Sequence, residues 1–266
     1  MIKRTTIPDI LDKKNNSKVV ALTCYTAQFS EILDNHVDIL LVGDSLGMTI
    51  YGFDNTLSVT VRMMIDHGKA VAKTTKKALV VVDLPFGTYE NSKEKAYDVA
   101  AKILSETEAS AIKLEGGVEL SSTIEYLTKR GIPVMGHIGL MPQRFKMIGT
   151  FASKGHTHQQ GLEILNDARA IANSGAFSIV LEAVVEKLGK EISKEIAVPI
   201  IGIGAGRYCD GQILVLDDIL GIFDRFNPKF VKKYGNLNKN AEDAIKKFAR
   251  DVRNSKFPEL KNVYKW

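Results

Sequence analysis

The stretch DILLVGDS (residues 38–45) decides how this chain is read. Four apolar residues in succession, Ile39 to Val42, run into Gly43 and then an acid, Asp44, with Ser45 beside it. A strand wetted on one face alternates apolar with polar residues, whereas an unbroken apolar run marks a strand covered on both faces, as in a parallel sheet wrapped by helices. Six further runs share this character: KVVALTCY (18–25), ALVVVDLP (78–85), AIKLEG (111–116), PVMGHIG (133–139), FSIVLEA (177–183) and PIIGIGAG (199–206). Between them lie helical patterns at 30–36, 58–75, 92–107, 120–131 and 161–175, with Gly131 and Gly175 placed as left-handed caps. An eighth strand is expected within QILVLDDILGI (212–222). The spacing before it is shorter than the ~10 residues a helical crossover takes, so either the connection is a single turn or the segment is partly helical.

Seven or eight strand–helix units with no break in composition predict an α/β protein of one domain, a (β/α)8 TIM barrel, with a C-terminal helical extension at about 239–266. The glycine-rich GIGAGRYCDG (202–211) resembles a dinucleotide fingerprint, but such a fingerprint opens the first unit of its domain, and this one follows the seventh strand. Glycines there are expected to let backbone amides approach an anion or a ligand ring.

The net charge of +5 comes from lysines scattered along the chain, with no basic run interleaved with aromatics, so no nucleic-acid partner is expected. No run approaches the ~18 apolar residues of a membrane span. The 2 cysteines, Cys24 and Cys209, are too few and too far apart for a disulfide framework or a zinc site, and a reducing cytoplasm is the expected compartment.

In a parallel barrel the carboxyl ends of all strands meet at one face, however distant in sequence. Those ends carry Asp44 with Ser45, Asp83, Lys113 with Glu115, His137, and Glu182. Carboxylates crowded into one cleft repel unless they share a cation or a proton, and an oxygen-only donor set suits a hard ion such as Mg2+. Each residue also has a plainer reading. Asp44 and Ser45 are common helix caps, DLPFG is a proline-fixed turn, Lys113 and Glu115 share a strand face and can pair structurally, and His137 is the kind of histidine often buried in a core. Joint occurrence at five strand ends favours a site.

At these residues the sequence closely resembles the ketopantoate hydroxymethyltransferase family, within the phosphoenolpyruvate/pyruvate barrel superfamily. The matching stretches are LLVGDSLGMTIYGFDNTLSVTV, DLPFGTY, IKLEGG, GIPVMGHIGLMPQ, VLEAV and PIIGIGAGRYCDGQILVLDDILGI, in that order, across about residues 20 to 230. The resemblance implies a Mg2+-dependent transfer of a hydroxymethyl group from 5,10-methylenetetrahydrofolate to the 2-oxo acid 3-methyl-2-oxobutanoate, a step of pantothenate and coenzyme A biosynthesis, by a homo-oligomer, commonly a decamer. It further implies Asp44, Asp83 and Glu115 as metal-site acids, and Asp44, Ser45, Asp83 and Lys113 as the oxo-acid group. Glu182 would be the proton acceptor and His137 an active-site histidine. The chain departs from the family's wording at Thr26, Asp66 and Asp217 and in the 149–160 loop.

Overall fold

Eight strands close into a barrel in sequence order, every neighbour parallel, in a computed structural model that describes residues 4–149, 152–222 and 228–264. The strands are β1 (Val19–Thr23), β2 (Ile39–Val42), β3 (Leu79–Asp83), β4 (Ala111–Glu115), β5 (Val134–Gly139), β6 (Ser178–Glu182), β7 (Ile200–Ile203) and β8 (Gly211–Leu214). The ring closes where Val19 to Leu22 pair with Gly211 to Leu214. The chain forms two compact units, residues 1–215 and 216–266, of which the first holds the whole barrel.

β2, β3 and β4 are buried at every position, as continuous apolar runs require. One residue in two from successive strands fills the interior: Val19, Ala21, Ile39, Leu41, Leu79, Val81, Ala111, Met135, Val180, Ile201 and Ile213 share one apolar cluster. Ile10, from the short helix Ile7–Leu11, belongs to the same cluster.

Outside run the helices Ala27–Leu33, Val61–Thr74, Lys93–Thr107, Ser121–Thr128, His158–Asn173 and Glu186–Glu195. Hydroxyl side chains fix several starts: Thr60, Ser92 and Thr157 each accept a backbone N–H three residues on. Thr26 does the same for Phe29, so its helix begins ahead of the expected 30–36 window. His158–Asn173 buries Ile164, Leu165, Ala168 and Ile171, each large side chain contributing roughly 1.5–3 kcal/mol. Gly131 and Gly175 take φ of 84° and 93°, the left-handed turns expected of them.

One feature departs from the sequence reading, and a second decides an alternative it left open, in favour of a partly helical segment 212–222. The helix Glu186–Glu195 is not marked by the pattern, because Gly189 interrupts a charged stretch. A Cβ at that glycine would lie 2.2 Å from the Ala205 carbonyl oxygen, so the glycine serves close packing. The β7–β8 connection (204–210) contains no helix, and it is the following segment, Leu216–Leu220, that is helical. The outer faces of β1 and β8 are wetted: Val20 of β1 is 46% exposed, and Gln212 of β8 is exposed.

In the second unit the helix Leu237–Arg253 is capped by Asn236 and buries no side chain. Ile245, Phe248 and Val252 lie on one exposed stripe, and Phe248 meets Phe257 edge to face. Among the described residues no helix is long and apolar enough to cross a membrane.

Candidate active site

Strand parity aims the ionisable groups inward. Val81, Ala111, Met135 and Val180 face the interior, so the residues two further on, Asp83, Lys113, His137 and Glu182, face it nearer the mouth, and Glu115 follows Lys113. Register then makes neighbours of them. Asp83 stands opposite Lys113, Glu115 opposite His137, and Glu182 opposite Gly139.

The result is one chain of contacts. Lys113 Nζ lies 3.0 Å from Asp83 Oδ1 and 3.4 Å from His137 Nδ1. His137 Nδ1 is 3.4 Å from Glu115 Oε1, while its Nε2 is 3.2 Å from Glu182 Oε2. The contacts at Asp83 Oδ1 and His137 Nε2 are ion pairs rather than aligned hydrogen bonds. Asp44, beyond the end of β2, joins through its own backbone, whose N–H donates to Asp83 Oδ2 at 3.1 Å. Asp44, Asp83, Lys113, Glu115 and His137 are all at most 5% exposed. Glu182 is the most open carboxylate of the set, its side chain 14% exposed.

The plainer readings hold in part: DLPFG turns at Phe86 and Gly87 after β3 and His137 is buried, but Ser45 and Lys113 act otherwise. Ser45 precedes the turn Leu46–Thr49 without capping it, and its Oγ lies 2.8 Å from the Tyr25 hydroxyl. Lys113 pairs across the strands with Asp83 rather than along its own strand with Glu115. Cys24, just past the end of β1, is fully buried. Of the departures, Thr26 serves as a helix cap and Asp66 pairs with Arg62 on an exposed face. Asp217 sits in the helix Leu216–Leu220 of the second unit, and residues 150 and 151 of the 149–160 loop lie outside the described residues.

Two residues to which the sequence gave no role tie the acids together. Gln143, buried in the turn Pro142–Arg144 after β5, donates from Nε2 to Asp44 Oδ2 (2.9 Å) and to the Leu84 carbonyl (2.9 Å). Its backbone N–H donates to Glu115 Oε2 (3.0 Å). Tyr89, also buried, donates its hydroxyl to Gln143 Oε1 at 2.5 Å and accepts the Glu115 N–H at 3.2 Å. Both residues lie within stretches that carry the family resemblance, DLPFGTY and GIPVMGHIGLMPQ, which was the one available signal.

The charges are unevenly matched. Burial, reinforced by the Asp83 and Glu115 carboxylates, pushes Asp44 up to about 8 against the pull of Lys113 and Gln143. Burial also raises Asp83 despite its pairing with Lys113. Glu115 goes the other way: burial opposes its ionisation, but His137, Lys113 and the Gln143 N–H outweigh it. For His137, burial and the Lys113 ammonium oppose charging, yet Glu115 and Glu182 carry it up to about 9, so the imidazolium persists at neutral pH.

A divalent cation fits this set. An acid held at about 8 keeps a proton at neutral pH because too little positive charge surrounds it, and a hard cation relieves that deficit. The donors facing the space are carboxylate oxygens, the chemistry Mg2+ prefers. Among the described residues no three His, Cys, Asp or Glu side chains are already drawn to metal-binding spacing, since Lys113, His137 and Gln143 are interleaved with these acids. All the charged side chains of the cluster come from the consecutive strand ends β2 to β6. β1, β7 and β8 carry no ionisable residue within the strands, so the ionisable strand positions of the site all lie on β2 to β6.

Known proteins match this chain along nearly its whole length. Residues 4–260 match the family described as ketopantoate hydroxymethyltransferase. A 3-methyl-2-oxobutanoate hydroxymethyltransferase of Rhizobium etli is 52% identical over 263 residues, covering 99% of this chain and 96% of its own. Among solved structures, a phosphonopyruvate hydrolase in complex with oxalate and Mg2+ superposes with a TM-score of 0.62 at 13% identity, over 97% of this chain and 93% of that one. A 2,3-dimethylmalate lyase of the PEP mutase/isocitrate lyase superfamily does so with a TM-score of 0.61 at 14% identity, over 98% and 92%. At such identities the structures speak for the fold.

Proposed function

The chain belongs to the ketopantoate hydroxymethyltransferase family, and from that premise we propose that it joins a one-carbon unit from 5,10-methylenetetrahydrofolate to C3 of 3-methyl-2-oxobutanoate, with Mg2+ held by Asp44, Asp83 and Glu115. The observation that carries this reading is the buried cross-strand network running from Asp83 through Lys113 and His137 to Glu182, in which only the last carboxylate opens toward solvent. The oxalate and Mg2+ complex of the phosphonopyruvate hydrolase supports such an ion in a barrel of this fold.

When bound, the ion supplies Lewis-acid stabilisation for the negative charge that gathers on the keto oxygen once C3 loses its proton. Lys113, fixed by Asp83, offers its remaining donors to the substrate carboxylate, and Ser45 adds a hydroxyl oriented by Tyr25. Glu182 takes the C3 proton. The His137 imidazolium holds Glu182 Oε2 and leaves Oε1 for this task, while its other nitrogen faces Glu115. C3 then bonds to the methylene carbon as one of that carbon's two carbon–nitrogen bonds to the folate breaks, water displaces the second nitrogen and supplies the hydroxyl, and the two folate nitrogens take up the C3 proton and one from the water. Tetrahydrofolate and ketopantoate leave, the product being a precursor of pantothenate. A homo-oligomer, a decamer by family resemblance, is part of the same proposal, and the exposed stripe Ile245, Phe248 and Val252 supports a contact between subunits.

Incubation with oxo acid, methylenetetrahydrofolate and Mg2+ is expected to yield ketopantoate, and a chelator is expected to abolish it. Glu182→Gln is expected to retain oxo-acid binding while losing exchange of the C3 proton with deuterated water. Exchange at the wild-type rate would remove Glu182 from the role of base. A protein that binds the oxo acid and folate without any turnover would instead be a sensor.

A further inference from the structure

Each of the three acids Asp44, Asp83 and Glu115 has one oxygen taken by an uncharged N–H donor. Asp44 Oδ2 is held by Gln143 Nε2, Glu115 Oε2 by the Gln143 backbone, and Asp83 Oδ2 by the Asp44 backbone. Two of these three bonds come from Gln143. Its amide has only one workable orientation: the Asp44 carboxylate and the Leu84 carbonyl both demand a donor, so the NH2 faces them and the oxygen faces Tyr89. Tyr89 in turn accepts the Glu115 N–H, and of the two acceptors for its own proton, Gln143 Oε1 at 2.5 Å and the Glu115 carbonyl at 3.3 Å, Gln143 is the nearer. The amide therefore cannot flip without stranding buried polar groups.

Neutral donors of this kind do not compete with a cation for charge, yet they fix each carboxylate's rotation and engage only one of its oxygens, the other facing Lys113 at Asp83 and His137 at Glu115. Mg2+ takes one oxygen from each of a few carboxylates and fills an octahedron with water and substrate. Ca2+ takes more oxygens, often both from one carboxylate. We propose that Gln143, locked by Tyr89, is a positioning residue that presents Asp44 and Glu115 through a single oxygen each, and so sets the preference of this site for a small octahedral ion over Ca2+. This rests on the assignment of Asp44, Asp83 and Glu115 to the ion.

The test is calorimetric titration of the metal-free full-length protein with Mg2+ and, separately, with Ca2+. Wild type is expected to bind Mg2+ more tightly than Ca2+. Gln143→Met, similar in volume but without donors, is expected to lose roughly 10- to 100-fold in Mg2+ affinity while Ca2+ affinity changes much less. Tyr89→Phe keeps the ring and is expected to shift the same ratio in the same direction by a smaller factor. If folded Gln143→Met binds both ions as wild type does, or weakens both by the same factor, the proposal is overturned while the metal assignment stands. Should Gln143→Met not fold, Tyr89→Phe decides, and an unchanged ratio overturns the proposal. Wild-type protein that binds neither ion would overturn the metal assignment and this inference together.

Discussion

Asp34 is the most heavily used carboxylate outside the mouth, and its removal should be costly. It ends the helix Ala27–Leu33 and accepts the backbone N–H groups of Lys76 (2.9 Å), Lys77 (2.9 Å) and Ala78 (2.8 Å), pinning the segment that enters β3. A hydrogen bond to a charged group contributes about 1.5–3 kcal/mol, but three bonds to one carboxylate do not add fully, and water reaches the exposed Lys76 and Lys77 more readily than the buried Ala78. Asp34→Ala is therefore expected to cost about 3–4 kcal/mol at pH 7, and Asp34→Asn, which keeps one acceptor oxygen, about 2 kcal/mol. Burial opposes ionisation here, but the three N–H bonds, helped by Arg4, hold the carboxyl below its ordinary value. A depressed acid contributes stability that is present above the unfolded value near 4 and is lost as pH falls through the folded one, so the gap between wild type and Asp34→Asn should close in acid. Urea unfolding at pH 7 and pH 3.5 measures that gap, and hydrogen exchange at the amides of residues 76–78 reports the local release. A loss below about 1 kcal/mol for Asp34→Ala, or an Asn gap equal at both pH values, would refute the account.

Lys14 Nζ sits 2.5 Å from Asp210 Oδ2 and 2.6 Å from the Ser193 carbonyl, with both side chains of the ion pair about one-tenth exposed. Lys14→Met should destabilise by about 3 kcal/mol in urea unfolding, since Asp210 is left buried with only neutral donors from Ser193 and Ile200. At Gly136 an added Cβ would meet Ile171 Cγ2 at 2.6 Å, so Gly136→Ala should push the helix His158–Asn173 outward and lower stability by roughly 1–3 kcal/mol, read as a reduced melting temperature. Asp83→Asn should weaken Mg2+-dependent binding of the oxo acid by at least about tenfold in calorimetry, and binding as tight as wild type would remove Asp83 from the metal site.

The barrel was legible because apolar runs such as LVVVD mark its strands, and β2 to β6 announce themselves a second time by an ionisable residue at or near their ends. Parity does the remaining work: once Val81 and Ala111 are interior, Asp83, Lys113 and Glu115 must share the cavity. Gln143 and Tyr89 escaped because they are uncharged residues beyond strand ends, and their importance arises only when the register of β4 and β5 brings separate loops onto one carboxylate. Helix beginnings shifted because single hydroxyls, such as Thr26, outweigh the apolar period near an end. The bare β7–β8 connection follows from its length, seven residues (204–210) against the ~10 or more that a crossover with a helix takes.

The placement of the site's ionisable strand residues on β2 to β6, and of none on β1, β7 and β8, has a stereochemical consequence. Under the proposed reaction, a planar acceptor lying against the ends of β2 to β6 turns a single flat side toward β1, β7 and β8, where a second reactant meets no row of fixed ions. Bond formation to a trigonal carbon from one side alone gives one mirror image. For acceptors bearing two unlike substituents on the reacting carbon, the barrel thus imposes handedness through which of its staves are bare.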